Sequence, residues 1–168
     1  MAKVSKSDIK RDIKEYASDI LNSENFKSSK NNIQHSDVSV KKHSMKVAMT
    51  SMWINRKLGS KCNEKELARG ALLHDFFLYD WHAPEHCGLK NLHGFKHPAI
   101  ALKNAAKEFT LTEKEKNIIS SHMWPLTLRH MPKCREAWVV TAADKWISTI
   151  ESLRLHKLSR LKRAKARG

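Results

Sequence analysis

The pair His74-Asp75 directly follows an apolar stretch, and its imidazole and carboxylate could bind a metal ion or transfer protons. Residues 70–73 have the composition of a buried helix, Gly-Ala-Leu-Leu. A buried imidazole and carboxylate cost several kcal/mol unless they are paired or bound to a metal ion. Four further residues of ligand type are spread along the chain: His43, His97, His122 and Asp144. Imidazoles with carboxylates suit zinc, iron, manganese or nickel better than structural calcium, so the set predicts a metal-dependent hydrolase.

Helical spacing predicts that these side chains face an interior. His74 follows Leu67 and Ala71 at the spacing of one helix face. Asp75 is then rotated by about 100° around the helix, so its carboxylate could approach a metal from a second direction or bridge two metals. Asp144 lies in an otherwise apolar helical segment, where a carboxylate is costly unless compensated. Metals held this way lower the pKa of a bound water and hold phosphoryl oxygens, and paired ions lie about 3.5–4 Å apart.

Each candidate also has an ordinary structural explanation. His43 could be a satisfied helix histidine, and Asp144 could be a surface acid paired with Lys145. His97 could only cap a helix, His122 could be a polar helix end, and the His74-Asp75 pair could be incidental. The metal hypothesis is preferred because the ordinary explanations require five unrelated coincidences in helical order.

The elements that position these residues are predicted to be helices nearly throughout, because glycine and proline are scarce. Residues 22–34 and 80–96 are predicted loops. The predicted helices are 8–21 after a Ser7 cap, 37–58 before Gly59, 64–77 after Asn63, one opened by His97-Pro98, one capped by Thr112, and a last one from Pro132.

The length of 168 residues and the charge distribution predict one domain with two appendages. The predicted units are an N-terminal helix and polar loop that pack on the core (1–36), a main domain (37–153) and a basic C-terminal tail (154–168). The net charge is +15, and the tail contributes seven bases and no acid. The remaining mild excess of bases fits an anionic substrate such as a phosphate ester.

The cysteines and the apolar runs predict a soluble cytoplasmic protein that does not contact a membrane. Three cysteines without C-x-x-C spacing argue for a reducing compartment. No apolar run approaches the roughly 20 residues needed to span a bilayer.

Aromatic and histidine side chains near the candidate ligands could contact a substrate. The five tryptophans, Trp53, Trp81, Trp124, Trp138 and Trp146, are expected in the core. Trp124 could instead wall a substrate pocket beside His122. Histidines of the loop 80–96 lie between two candidate ligands, and His93 is the one predicted to contact substrate.

Five segments together resemble the HD-domain superfamily of metal-dependent phosphohydrolases through the order H…HD…H…H…D. They are HSMKVA from His43, ALLHD through Asp75, His97-Pro98, IISSH through His122, and VTAADK through Lys145. The resemblance implies an all-α HD-domain helical bundle with the metal site between helices. Phe76-Phe77 replaces the Ile-Gly of one common motif, and a Gly-Tyr-Pro element typical of cyclic-dinucleotide phosphodiesterases is missing, which argues against that substrate.

The resemblance also implies roles for individual residues. His43, His74, Asp75 and Asp144 match the ligands of the basic family site. His97 and His122 fit the positions of further histidines in members with two metals, where Asp75 would bridge two divalent transition-metal ions, iron, manganese, zinc, nickel or cobalt. Asp75 and Lys145 are then the predicted catalytic residues, because Lys145 matches a lysine that can meet a phosphate.

Two functions of different classes follow from these observations. The leading hypothesis is a phosphomonoesterase or phosphodiesterase that acts on a small phosphorylated metabolite or nucleotide through a metal-bound hydroxide. The alternative is a nucleic-acid- or nucleotide-binding protein that uses the HD core structurally, since Lys and Arg clusters bind phosphate backbones. The tail lacks interleaved aromatic residues, so a solvated helix end or disordered tail is the preferred interpretation of it. Substrate, metal identity and oligomeric state are left open by the sequence.

Overall fold

The described part of the chain is built almost entirely of helices. This computed structural model describes residues 4–35, 38–59, 61–79 and 93–165, and for residues 33–35, 93, 94 and 154–165 it describes the backbone only. The elements are α1 (Lys6–Tyr16), α2 (Ser18–Asn22), α3 (Glu24–Ser28), β1 (Ile33–His35), β2 (Val38–Ser39), α4 (Val40–Lys57), α5 (Glu64–Leu73), α6 (His93–Glu108), α7 (Glu113–Ser121) and α8 (Arg135–Lys165). The predicted all-α bundle is confirmed, with β1 and β2 forming one small antiparallel pair. None of the described helices is long and apolar enough to cross a membrane.

Four helices form the centre of the bundle. Helix α4 packs against α5 and α8, and α7 also packs against both of these. Their facing side chains are fully buried, including Met52, Leu67, Ile118 and Val140. Each such side chain contributes about 1.5–3 kcal/mol through removal of apolar surface from water. The segment from α1 to α3 adds its own apolar face to the same core through Ile9, Ile13, Ile20 and Phe26.

Local capping interactions explain why three of the helices begin or end where they do. The Asn63 side chain accepts a hydrogen bond from the Glu66 amide (3.2 Å) and caps α5. Thr112 and Glu115 form the predicted capping box at the start of α7. Gly59 adopts a φ of 90° just after α4, the left-handed conformation that closes a helix C-terminus at little cost for glycine.

The N-terminal third differs in detail from the sequence prediction. The first helix starts after a Ser5 cap rather than a Ser7 cap, and it is interrupted at Ala17, whose φ of −132° is not helical. The predicted polar loop contains the short helix α3, which buries Phe26 in the core. A single aromatic side chain in a polar segment therefore anchors that segment.

Three helix boundaries near the candidate ligands also differ from the prediction. Helix α5 ends at Leu73, so the His74-Asp75 pair follows the helix instead of lying inside it. Helix α6 starts at His93, four residues earlier than predicted, and Pro98 lies inside it. That position costs one backbone hydrogen bond, the one to the carbonyl of Gly94. The last helix starts at Arg135 rather than at Pro132.

Gly70 sets the distance between α5 and α7, the helices that precede the candidate ligands His74 and His122. A β-carbon at this position would lie 2.5 Å from Ile118 Cδ1 and 3.0 Å from Ile118 Cβ and Cγ2. Cδ1 can rotate away, but Cβ and Cγ2 belong to the stiff base of a branched side chain.

We therefore expect Gly70→Ala to lower the free energy of unfolding by about 1–3 kcal/mol through overpacking. The gain in helix propensity is roughly 1 kcal/mol, so the net loss should be at most about 2 kcal/mol. Urea unfolding measures the effect. In an Ile118→Ala background the same substitution should cost less, and an equal cost in both backgrounds would contradict the steric explanation.

Candidate metal centre

The ends or inner faces of five helices bring the six predicted ligands together. Helix α4 supplies one from its first turn, the end of α5 supplies two, and α6, the end of α7 and α8 supply one each. All six side chains belong to residues that are at most 5% exposed: His43, His74, Asp75, His97, His122 and Asp144. The apolar helix faces that the sequence shows around them account for this burial.

Asp75 lies at the centre of the cluster, and its two oxygens face different histidines. Asp75 Oδ2 is 3.1 Å from His74 Nε2 and 3.7 Å from His43 Nε2. Asp75 Oδ1 is 3.2 Å from His97 Nε2 and 3.4 Å from His122 Nε2. The carboxylate therefore joins two pairs of imidazoles, one on each oxygen.

Asp144 completes the first of these two groups. Its Oδ1 is 3.1 Å from His43 Nε2 and 3.8 Å from His74 Nε2. Ser148, one turn later on α8, donates a hydrogen bond to the same oxygen (3.1 Å). Asp144 is thus a buried and oriented acid, not the surface acid of the alternative explanation.

The Nδ1 atoms of His74 and His122 point away from the cluster, and each is bonded to a backbone carbonyl that fixes the orientation of its ring. Nδ1 of His74 donates to the carbonyl of Ala71, and Nδ1 of His122 donates to the carbonyl of Ile119, both at 2.8 Å. A carbonyl only accepts, so in the neutral rings Nε2 carries the lone pair and points into the cluster. Among the described residues, the buried His74 Nε2 makes no hydrogen bond of regular geometry, although Asp75 Oδ2 lies 3.1 Å away.

The electrostatics of the cluster keep its carboxylates ionised. Burial, the largest influence, opposes the charge on Asp75, but His74, His122 and His97 outweigh it and hold the pKa well below its usual range. Burial likewise opposes the charge on Asp144, and the hydrogen bond to His43 together with His74 and Lys145 lowers the pKa of that carboxyl. The ionised carboxylates of Asp75 and Asp144 therefore lie on either side of buried histidine nitrogens.

The pKa values of His43 and His122 are shifted in opposite directions. Burial disfavours the charged form of His43, but hydrogen bonds to Asp144 and Glu151 raise its pKa to about 10. Burial, with help from nearby His97 and His74, lowers the pKa of His122 to about 4. His97 Nε2 lies 2.8 Å from the neutral His122 Nε2, so the His97 nitrogen is the donor in that contact.

Glu151 is a buried member of the site that the sequence analysis missed. His43 Nδ1 donates to Glu151 Oε2 (2.9 Å), and Lys46 Nζ donates to Glu151 Oε1 (2.7 Å). A carboxylate behind a histidine fixes the ring and increases its basicity. The signal was present in the sequence, because Glu151 follows Asp144 by seven residues and therefore lies two turns further on the same face of α8.

Lys145 lies at the edge of the cluster and tethers two of its parts. Its Nζ donates to Asp144 Oδ2 (3.1 Å) and to the carbonyl of His122 (2.9 Å), and its side chain is 42% exposed. The structure therefore gives this predicted catalytic residue a positioning role for Asp144 and the end of α7. Its partial exposure leaves it accessible from solvent.

Of the predicted substrate contacts Trp124 and His93, the structure describes the side chain of Trp124 only. Trp124, two residues beyond His122, is half-buried, and its ring packs edge-to-face on Trp138 with 4.9 Å between ring centroids. The backbone of His93 forms the first residue of α6, whereas its side chain lies outside the described atoms. The remaining loop histidines, His82 and His86, lie outside the described residues.

The donor set fits divalent transition metals. Two groups of three buried side chains each offer ligand atoms that all lie within 4.8 Å of one another, and Asp75 belongs to both: His43, His74 and Asp75; Asp75, His97 and His122. Imidazole nitrogens with carboxylate oxygens suit zinc, iron, manganese, cobalt or nickel. Hydrogen bonds to the outward ring nitrogens provide the orientation that metal-binding histidines require.

Of three comparisons with known proteins, one gave a match. Curated proteins and solved structures gave no significant match. A family model described as HD domain matches residues 40–147. The match runs from the start of α4 to the middle of α8, which is more than half of the chain. It includes every residue of the cluster except Glu151. By this match the chain belongs to the HD domain family.

Proposed function

We propose that this protein is a phosphohydrolase, a phosphomonoesterase or phosphodiesterase, that uses two divalent transition-metal ions. The observation that carries the proposal is the position of Asp75, whose two oxygens face two separate sets of histidines. A carboxylate shared in this way is suited to bridge two ions. Membership of the HD domain family, a superfamily of metal-dependent phosphohydrolases, supports the same reaction class.

The proposed ligand sets follow the two sides of Asp75. His43, His74, Asp75 and Asp144 would hold one ion, and Asp75, His97 and His122 would hold the other. When bound, such ions supply Lewis acidity toward phosphoryl oxygens and activate water at neutral pH.

The protein's own groups would orient this chemistry and attract the substrate. Ala71 and Ile119 hold the rings of His74 and His122 through their carbonyls, so the Nε2 atoms of both rings already face the cluster. Lys145 keeps Asp144 in place and offers a positive charge at the exposed edge, where a phosphate would approach. The net charge of +15 favours an anionic substrate, and we propose a small phosphorylated metabolite or nucleotide.

The direct test combines metal analysis with turnover. Purified protein is stripped with a chelator and reconstituted with manganese, iron(II), cobalt, nickel, zinc or magnesium. Metal content is then measured alongside hydrolysis of p-nitrophenyl phosphate, bis(p-nitrophenyl) phosphate and a panel of nucleotides. We expect two ions per chain and metal-dependent hydrolysis, with the exposed His130→Ala variant behaving as wild type.

The possible results separate the parts of the proposal. A single bound ion would overturn the dinuclear assignment. Two bound ions without hydrolysis of any phosphate ester would overturn the phosphohydrolase assignment while leaving the metal centre in place.

Proton release gives a second prediction, which does not depend on the substrate. Both nitrogens of His43 face carboxylate oxygens, and its pKa is raised to about 10, so the ring is an imidazolium in metal-free protein at neutral pH. A coordinating imidazole must be neutral, so metal binding near pH 7.5 should release about one proton from this ring. The release from His43 should vanish as the pH rises above about 10, where the free ring is already neutral.

Isothermal calorimetry in buffers of different ionisation enthalpy measures this release. The observed enthalpy should depend on the buffer, and the proton number should fall by about one in His43→Asn. An enthalpy that is identical in all buffers would show that His43 is neutral before metal binds, contrary to the prediction.

A further inference from the structure

Two tryptophans that the sequence analysis expected in the core are instead exposed on one surface. Trp53 on α4 is 46% exposed and Trp146 on α8 is 62% exposed. Both line the same cavity of about 370 Å³, which lies between α1, α4 and α8. Large exposed aromatic side chains that share a concave surface are typical of a binding site.

The cavity is apolar at its base and positive at its rim. Ile9, Met49 and Ile147 contribute the apolar lining, while Lys6 and Lys46 lie beside the tryptophans. Lys57 adds a further positive charge, since its Nζ lies 5.9 Å from the centroid of the Trp53 ring. We call this surface the Trp53–Trp146 groove.

Helix α8 extends the positive charge away from the groove. It is continuous from Arg135 to Lys165, so the residue Trp146 and the helix end are separated by about 30 Å along one axis. The sequence from 154 to 168 carries seven bases and no acid. Residues 154–165 of this basic segment therefore continue the helix that carries Trp146.

We propose that the Trp53–Trp146 groove binds single-stranded nucleic acid, with bases stacked on the indole rings and phosphates paired with Lys6 and Lys57. Stacking platforms beside positive charge are the shared chemistry of proteins that bind single strands without sequence preference. A duplex hides the base faces that the indoles would contact. An interfacial membrane helix presents an amphipathic outer face rather than a concave groove between three helices.

This binding activity is separate from the proposed hydrolysis. The groove residues are distinct from the cluster around Asp75, although Lys46 bonds Glu151, which contacts His43. Lys46 is therefore left unchanged in the test, so that an effect on binding does not arise from the metal centre.

The test is fluorescence anisotropy of a labelled 12-nucleotide oligo(dT) or oligo(U) with full-length protein at 50 and 200 mM salt. We expect Trp146→Ala and Trp53→Ala each to weaken binding by roughly 5- to 150-fold, and Trp146→Phe to restore part of it. Trp138→Ala is the matched control, because Trp138 lies on the same helix and is 42% exposed but packs on Trp124. It should bind as wild type.

Charge and fold are monitored separately. Lys6→Gln should reduce the slope of log K against log salt by about 0.7, the value for one phosphate contact on a single strand, whereas the tryptophan variants should leave the slope unchanged. Thermal melting and the hydrolysis of a small phosphate ester should be the same for Trp146→Ala and wild type.

Four binding results would overturn the proposal. They are no binding of single strands by wild type, equal affinity in wild type and both alanine variants, equal competition by a duplex of the same length, and binding to phosphatidylserine vesicles without binding to oligonucleotides. A groove-dependent dimer detected by sedimentation in the absence of nucleic acid would equally assign the surface to a second copy of the chain.

Discussion

Asp75→Ala is expected to reduce hydrolysis to the background rate and to remove both metal ions. Its two oxygens face two histidine sets, so a single substitution takes one ligand from each proposed site. The loss should exceed that of any other single ligand, because every other candidate serves only one side of the cluster. Metal analysis and turnover, measured on the same preparation, test this prediction.

Asp75→Asn separates the charge from the shape. The amide retains the volume and one oxygen but removes the negative charge that neighbouring imidazoles stabilise. We expect it to lose activity nearly as completely as the alanine variant while unfolding at a temperature close to that of metal-free wild type. Retention of two ions by either variant would contradict the bridging role.

Glu151 is expected to have a large effect although it is a positioning residue outside the proposed ligand sets. Glu151→Gln keeps an oxygen near His43 Nδ1 but loses the charge that orients and supports the ring. Loss of such a partner typically reduces metal affinity or activity 10- to 100-fold. Titration with a metal buffer should show this weakening, and excess metal should restore most of the turnover.

A matched variant distinguishes positioning from general stability. Lys46→Met removes the contact to Glu151 Oε1 but leaves the hydrogen bond from His43 to Oε2. Lys46→Met should therefore bind metal nearly as wild type does. If Glu151→Gln lowers the melting temperature but leaves metal affinity unchanged, Glu151 has only a structural role.

The convergence of the candidate ligands could be anticipated in part from the sequence, because His74 and Asp144 follow or interrupt apolar helical segments. Leu67, Ala71 and His74 have the spacing of one helix face, and Val140 and Asp144 do as well. Their order along the chain matched that of a known superfamily. The capping residues Asn63 and Thr112 were also recognisable, since their interactions are local.

Other features depend on contacts that are distant in sequence. Phe76 and Phe77 continue the apolar pattern of α5, so periodicity extended the helix beyond Leu73, where the chain leaves helical geometry to aim Asp75. The seven-residue spacing places Glu151 on the same face of α8 as Asp144, but it does not identify His43, 108 residues away, as the partner of Glu151. Hydrophobicity alone also assigned Trp146 to the core, because exposure depends on which neighbouring helices cover that face of α8.

The contacts of His43 with α8 also set the order in which the centre can assemble during synthesis. His43 leaves the ribosome 101 positions before Asp144 and 108 positions before Glu151. Until α8 is made, the imidazole has neither carboxylate and only part of its proposed ligand set exists. The proposed ligand set on the His43 side is therefore complete only in the finished fold, whereas Asp75, His97 and His122 all precede α8 in the chain. Metal occupancy on the His43 side would then be a readout of complete synthesis and correct docking of the last helix.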